Sequence, residues 1–430
     1  MGTIRWTDRP KITHAECVTS QHQTTDTDQG STAGPRRMRA PLAFGFVAYA
    51  FGVTMVGTTL PTPLYPLYQH QFAFGSLLTT VIYAVYALGV LAALLLFGRA
   101  SDALGRRRVL FAALAASALA ELVFVTDAGL TVLFIGRIVS GLSAGLVTGT
   151  ATAMLVELAP SHKHARATLL ATAVNMLGLG FGPLLAGVLA EYAPAPLRLP
   201  FLAHLVLLVP AVIGVWLAPE TVRVRPGARP RPGRIGVPEQ ARAVFVPAAI
   251  AVFAAFSVFG LLTAIEPGFL STVLHQPDRL LAGAVVFSMF IGSTLGQFAA
   301  AQLRERLALP TGCVVLILAL AGIAASLLTA SLTLLVLGTV VVGIGQGICF
   351  RSGMAAVTAH SPAHRRAETV SSYFVVAYLG ISVPVVLVGV VSALTDLRTA
   401  GIAFTIAVAV LALFAWVAVL RLDRRRALSS

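Results

Sequence analysis

Charge is what this sequence of 430 residues has least of. Asp, Glu, Lys and Arg make up only 11% of it, against roughly 25% in a soluble domain. Lysine is almost missing: Lys11 and Lys163 stand beside 29 arginines. So few polar groups cannot cover a globular surface. A soluble multidomain enzyme is excluded, and so is disorder for all but the ends. Cys17, Cys313 and Cys349 are odd in number and form no CxxC, so neither a disulfide framework nor a zinc site is indicated. There is no P-loop lysine and hence no recognisable ATPase. His162 and His164 have Lys163 and Arg166 as their charged neighbours, which argues against a metal site. Gly141-Leu-Ser143-Ala-Gly145 spells a nucleophile elbow, but it lies inside an apolar run, not between a strand and a helix. No cofactor and no metal are expected.

What the sequence has is hydrophobic length. Runs able to cross a bilayer recur at 41–64, 76–98, 108–126, 129–156, 167–189, 197–218, 244–264, 281–301, 311–329, 332–357, 370–393 and 399–420, spans 1 to 12 in order. They are continuously apolar, which predicts helices and not a barrel. The net charge of +14 would suggest nucleic acid in a soluble protein; here it points to cytoplasmic loops instead. With the N-terminus inside, 26 of the 31 Lys and Arg residues fall on the cytoplasmic side. Arg198, Arg279 and Arg398 fall outside, and Arg137 and Arg351 lie within spans. That asymmetry predicts a multi-pass protein of the cell membrane with both termini cytoplasmic.

Residues 1–40 hold no signal-peptide core and read as a disordered cytoplasmic tail. Met38, just before the first run, is a candidate start. Residues 221–243 carry six arginines and four prolines and read as a basic cytoplasmic linker. It joins a six-helix half at 41–220 to another at 244–420; residues 421–430 form a second tail. The halves look related. Gly141, Gly145, Pro160, His162 and Gly178 return 202 residues later as Gly343, Gly347, Pro362, His364 and Gly380. Pro63 returns as Pro267 after 204. Two parallel repeats place a substrate path between them, near the midplane.

The loop after span 2 reads Gly98-Arg-Ala-Ser-Asp102-Ala-Leu-Gly105-Arg106-Arg107-Arg108. An ordinary positive-inside loop explains the arginines, but not an aspartate framed by two glycines. Gly98 is expected to let two backbones approach, and Gly105 to permit a tight turn. Here the chain resembles the major facilitator superfamily, with one departure: Ala103 stands where the family has a basic residue. The resemblance implies an all-α fold of twelve transmembrane helices in two six-helix pseudo-repeats. It also implies that Asp102, Arg106 and Arg107 latch the two halves together on the cytoplasmic side. Glu157, at the inner end of span 4, could join that latch or be a solvated helix end.

Within span 4, Arg137 precedes Gly141 and Gly145. A guanidinium in a membrane costs about 3 kcal/mol on insertion scales, so it needs a partner or a route to the interface. The spacing resembles the family's helix-4 motif, which implies a part in proton coupling. Glu121 on span 3 lies at similar depth and is the expected buried partner of Arg137. Span 5 carries Gly178, Gly182, Pro183 and Gly187. Close helix packing would explain the glycines; the pattern also resembles the motif of the family's drug:proton antiporters, with Ala186 in place of a glycine. Glu266 is expected to end span 7. It reads as a wetted interfacial carboxylate or, less simply, as a proton site at the outer mouth. Thr58, Asn175, Phe259, Gln346 and Arg351 are the expected cavity lining, Arg351 with snorkelling as its alternative.

These expectations converge on a secondary transporter and not an enzyme. It would exchange protons for a small amphipathic or drug-like compound by alternating access, lie in the lipid bilayer as a monomer, and bind no nucleic acid. A proton symporter for a nutrient is the alternative, opposed by the span-5 motif.

Overall fold

The computed structural model describes residues 38–98, 100–222 and 232–429, with side chains described as far as residue 422. These residues belong to one compact unit. The expected N-terminal tail lies almost wholly outside them, as do Arg99 and most of the basic linker. Twelve helices are long and apolar enough to cross a membrane. They are α1 (Ala40–Thr59), α2 (Ser76–Phe97), α3 (Arg106–Val125), α4 (Leu130–Leu158), α5 (His164–Tyr192), α6 (Leu199–Leu217), α7 (Glu239–Thr272), α8 (Arg279–Gln302), α9 (Glu305–Thr329), α10 (Leu332–Ala359), α11 (Arg366–Leu394) and α12 (Leu397–Ser429). No strand occurs among the described residues. Large apolar side chains face outward along these helices, Leu318 at 64% exposure and Val206 at 69% among them. Such a surface suits lipid and not water.

Three helices run well past their predicted ends; α12 continues to Ser429, so residues 421–429 are helix and not the expected tail. The first span does not stop at Leu64. A 3-10 turn at Thr62–Leu64 and a short helix at Tyr65–Phe72 carry it on, until Ala73 breaks it with a φ of 51°. Helix α7 continues through Pro267 to Thr272. Proline removes one hydrogen bond, which a helix packed in a membrane tolerates, and the extra turns bury Phe269 and Leu270. Glu266 therefore lies inside a helix and not at its end, which corrects the sequence-based expectation.

The two six-helix sets repeat one another in their contacts. Gly141 lets α4 close on the Tyr86 carbonyl of α2, and Gly343 lets α10 close on the Met289 carbonyl of α8. Gly178 brings α5 onto the Gly52 carbonyl of α1, and Gly380 brings α11 onto the Phe253 carbonyl of α7. These are matched positions of the repeat, and at each a side chain would force two backbones apart.

The face where α1 begins is called here the terminal face, and the opposite one the far face. Each six-helix set has its own apolar core. A third core, with Leu60, Tyr65, Tyr68, Ala186, Ala264 and Val385, ties the sets together toward the far face. Polar contacts there reinforce it. Arg279 Nη1 lies 3.2 Å from Glu191 Oε2, and the Ser76 and Ser392 hydroxyls are 3.4 Å apart.

Candidate functional site

A cavity of about 90 Å³ lies between the two sets. Helices α1, α2, α4, α5, α7, α8, α10 and α11 all contribute to its wall. It is smaller than the roughly 300–1,000 Å³ of a typical ligand pocket, too small for a drug-sized molecule in this structure. Thr58, Asn175, Phe259 and Gln346 line it. Gln346 Oε1 is held by the Ser293 hydroxyl at 2.6 Å. Phe259 packs edge-on against Phe290 at 4.8 Å. Tyr83, Tyr86 and Tyr378 also line the cavity and were not foreseen. Tyr83 and Tyr86, three apart in α2, share one helix face; that spacing was a readable signal.

Arg351 is absent from the lining, contrary to expectation. Phe350 and Gln346, four residues apart, present the cavity-facing stripe of α10. One further residue turns about 100° round the helix, which takes Arg351 away from it.

Arg137 is in the cavity wall and only 2% exposed, so it does not snorkel. It does not pair with Glu121 either, which corrects the predicted ion pair. Its Nη1 donates to the Thr58 carbonyl at 2.6 Å. Its guanidinium carbon sits 4.8 Å from the Tyr86 ring centre and 5.6 Å from that of Tyr83, a cation–π arrangement. The partner of Glu121 is His204 of α6. Its Nδ1 lies 2.9 Å from Glu121 Oε1, and both residues are wholly buried. The His204 Nε2 is 2.7 Å from the Val53 carbonyl. A carbonyl can only accept, so Nε2 carries a proton. Gly57 of α1 makes the room, since a Cβ there would meet both His204 and Glu121. Glu121 lies against Gly57 and Arg137 against Thr58, adjacent residues of α1, yet the two side chains have different partners.

Glu266 is buried, 2% exposed, and neither carboxylate oxygen has a hydrogen-bond partner among the described residues. It is not the wetted carboxylate that the sequence suggested. It faces a small pocket of about 30 Å³ whose lining includes Leu261, Ile323, Leu327 and Gly401. At the repeat offsets Leu261 matches Gly57, and Ile323 matches Glu121. The pocket of Glu266 is thus the counterpart of the site that holds Glu121 and His204.

On the terminal face, Arg106 gathers its partners. Its Nη1 is 2.6 Å from Asp102, and its Nη2 is 2.8 Å from Glu157. Gly105 has a φ of 100°, which favours glycine at this turn. Gly98 approaches no second helix, contrary to expectation; only its own Leu94 lies near. Arg107 donates from Nε to the Val215 carbonyl at 3.2 Å and also to the carbonyl of Trp216, at the end of α6. All these partners belong to the first six-helix set, so among the described residues the cluster does not bridge the halves. In α5, Gly182 meets α1 at Val56 and Thr59, while Gly187 meets α8 at Arg279. The Pro183 backbone lies where a Cβ on Gly283 of α8 would be.

The Major Facilitator Superfamily sequence model matches residues 42–276 and again 248–430. The chain belongs to the Major Facilitator Superfamily. This facilitator is a transporter and not an enzyme. It is 27% identical over 158 residues to the quinolone resistance protein NorA of Staphylococcus aureus, covering 36% of this chain and 40% of that one. It is 24% identical over 196 residues to the putative multidrug resistance protein MdtD of Serratia proteamaculans, covering 46% of this chain and 38% of that one. The alignments thus span about two-fifths of these relatives. A crystal structure of a bacterial homolog of the human lysosomal transporter Spinster, inward-facing and unoccupied, superposes with a TM-score of 0.68. Identity there is 16%, over 91% of this chain and 98% of that one.

Glu220, just past the end of α6, also has a definite role. It accepts from the backbone N–H groups of Arg106 at 2.8 Å and Arg107 at 3.2 Å, capping the first turn of α3. A carboxylate at a helix N-terminus satisfies orphan donors and suits the helix dipole. Glu220→Ala is expected to cost about 1 kcal/mol, and Glu220→Gln less, read as unfolding in detergent.

Proposed function

We propose that this chain is a proton-driven exporter of small amphipathic compounds, working by alternating access in the cell membrane as a monomer. The terminal face is then cytoplasmic, and the structure is the state closed toward the outside. The reading rests chiefly on Glu266. An ionised carboxylate without a counter-charge is costly in a buried site, whereas the protonated acid needs none. Such a group binds a proton in one state and releases it when the halves move and water reaches it. The glycine pattern of α5 and the likeness to two proteins named for drug resistance favour export over uptake. The cytoplasmic cluster of Gly98, Asp102, Gly105, Arg106, Arg107 and Glu157 would bridge the halves only in the opposite state.

Helix α1 offers a route for coupling. Its Val53 carbonyl receives His204, and its Thr58 carbonyl receives Arg137. A change of charge at Glu121 and His204 therefore bears on the helix that also positions Arg137 in the cavity wall. Glu266→Gln is expected to keep the fold and bring proton movement to the level of protein-free liposomes. The measurement uses reconstituted liposomes holding a pH-sensitive dye, under an imposed gradient, with a panel of amphipathic compounds. Undiminished substrate-triggered proton movement in Glu266→Gln would remove this residue as the carrier. Accumulation of substrate in energised cells, in place of depletion, would turn the reading to uptake.

A further inference from the structure

The charge of the cavity wall points to a class of substrate. Among the lining residues only Arg137 is charged; no Asp, Glu, Lys or His joins it. A guanidinium stays ionised under any condition a protein survives. Here it is 2% exposed, its Nε has no partner, and no carboxylate lies within ion-pair distance among the described residues. Its recorded hydrogen bond is the single one to Thr58. The acid that could have neutralised it, Glu121, is already matched by His204. Tyr83 and Tyr86 flank the guanidinium, and Phe259, Phe350 and Tyr378 line the same cavity.

We propose that the central cavity takes amphipathic monoanions, an aromatic body carrying a carboxylate, with Arg137 as the anchor of the anionic group. A carboxylate matches the planar fork of arginine in two parallel hydrogen bonds. The aromatic wall takes the apolar body. A lipophilic cation would meet the opposite: like charge, and no carboxylate in the wall to balance it. Two of the aromatic faces that attract cations, Tyr83 and Tyr86, are already engaged by Arg137. The proposal rests on the reading of this cavity as the transporter's substrate site. It does not rest on proton coupling or on direction.

The test is equilibrium binding to the purified chain in lipid nanodiscs with three probes on one body: 2-naphthylacetate, its amide, and (2-naphthylmethyl)trimethylammonium. The carboxylate is expected to bind at least tenfold more tightly than either of the others. Arg137→Gln is expected to erase that preference, and Arg137→Lys to keep part of it. The wild-type ranking decides even where Arg137→Gln fails to fold. Equal or tighter binding of the amide or the cation overturns the proposal. So does a preference that survives in a folded Arg137→Gln, or no binding of any probe. Proton movement is read separately in liposomes. Anion preference without proton movement would sink the coupling and leave this inference standing; proton movement driven by the cation would do the reverse.

Discussion

His204→Ala is expected to destabilise the folded chain by about 1–3 kcal/mol, the cost of leaving a buried polar group without its partner. The alanine leaves the Glu121 carboxylate in place, still wholly buried, with nothing opposite it. It also frees the Val53 carbonyl that His204 satisfies, and an unpaired buried carbonyl carries a cost of its own. Glu121→Gln in the same chain replaces the stranded acid with a neutral amide. The double variant is therefore expected to recover part of the loss seen in His204→Ala alone. Unfolding in detergent of the two single variants and the double variant completes the cycle. Additive losses would show that the two side chains are neighbours without being coupled.

Gly283→Val is expected to abolish transport while leaving each six-helix set folded. A Cβ on Gly283 would lie 2.9 Å from the Pro183 carbonyl carbon and 3.2 Å from the Leu184 Cα. Those are backbone atoms of α5, and they cannot swing aside as a side chain could. In the proposed alternating-access cycle this contact opens when the halves part at the far face, so the clash would act on the closed state. Overpacking costs about 1–3 kcal/mol, enough to move a two-state balance about 5- to 150-fold. The readout is thiol labelling at Val385→Cys, a position in the closed core of the far face, in a chain whose own three cysteines are replaced by alanine. Labelling is expected to be slow in the parent and fast with Gly283→Val. Gly45→Val is the control, since a Cβ there meets nothing within 4 Å. Equal labelling rates would mean that α5 and α8 do not gate the far face.

The helices themselves were readable because a bilayer requires continuous apolar length, and all twelve appeared as such runs. Helix ends were less readable where proline intervened. Pro267 looks like a stop signal in sequence, yet packing carried α7 past it. The site was read in depth but not in azimuth. Counting residues from a membrane face placed Glu121 level with Arg137, and Arg351 near the inner part of α10. It did not say which way each side chain turns, and that decided all three. A pairing such as Glu121 with His204 depends on the relative rotation of α3 and α6, which no local pattern records. One signal was nonetheless present: His204 is the histidine set deep within an apolar run, and a ring of that kind in lipid needs a partner.

The counterpart pockets of Glu121 and Glu266 bear on how the molecule came to be. If the two halves descend from copies of one six-helix ancestor, a carboxylate present before the copying should recur at the matched position. It does not: Glu121 is answered by Ile323, and Glu266 by Thr62. Each half reached a buried acid in the same pocket from a different helix, α3 in one and α7 in the other. The repeat thus preserves the space more faithfully than the acid within it. A related chain that carries an acid at either position, or at neither, would still have kept the same architecture.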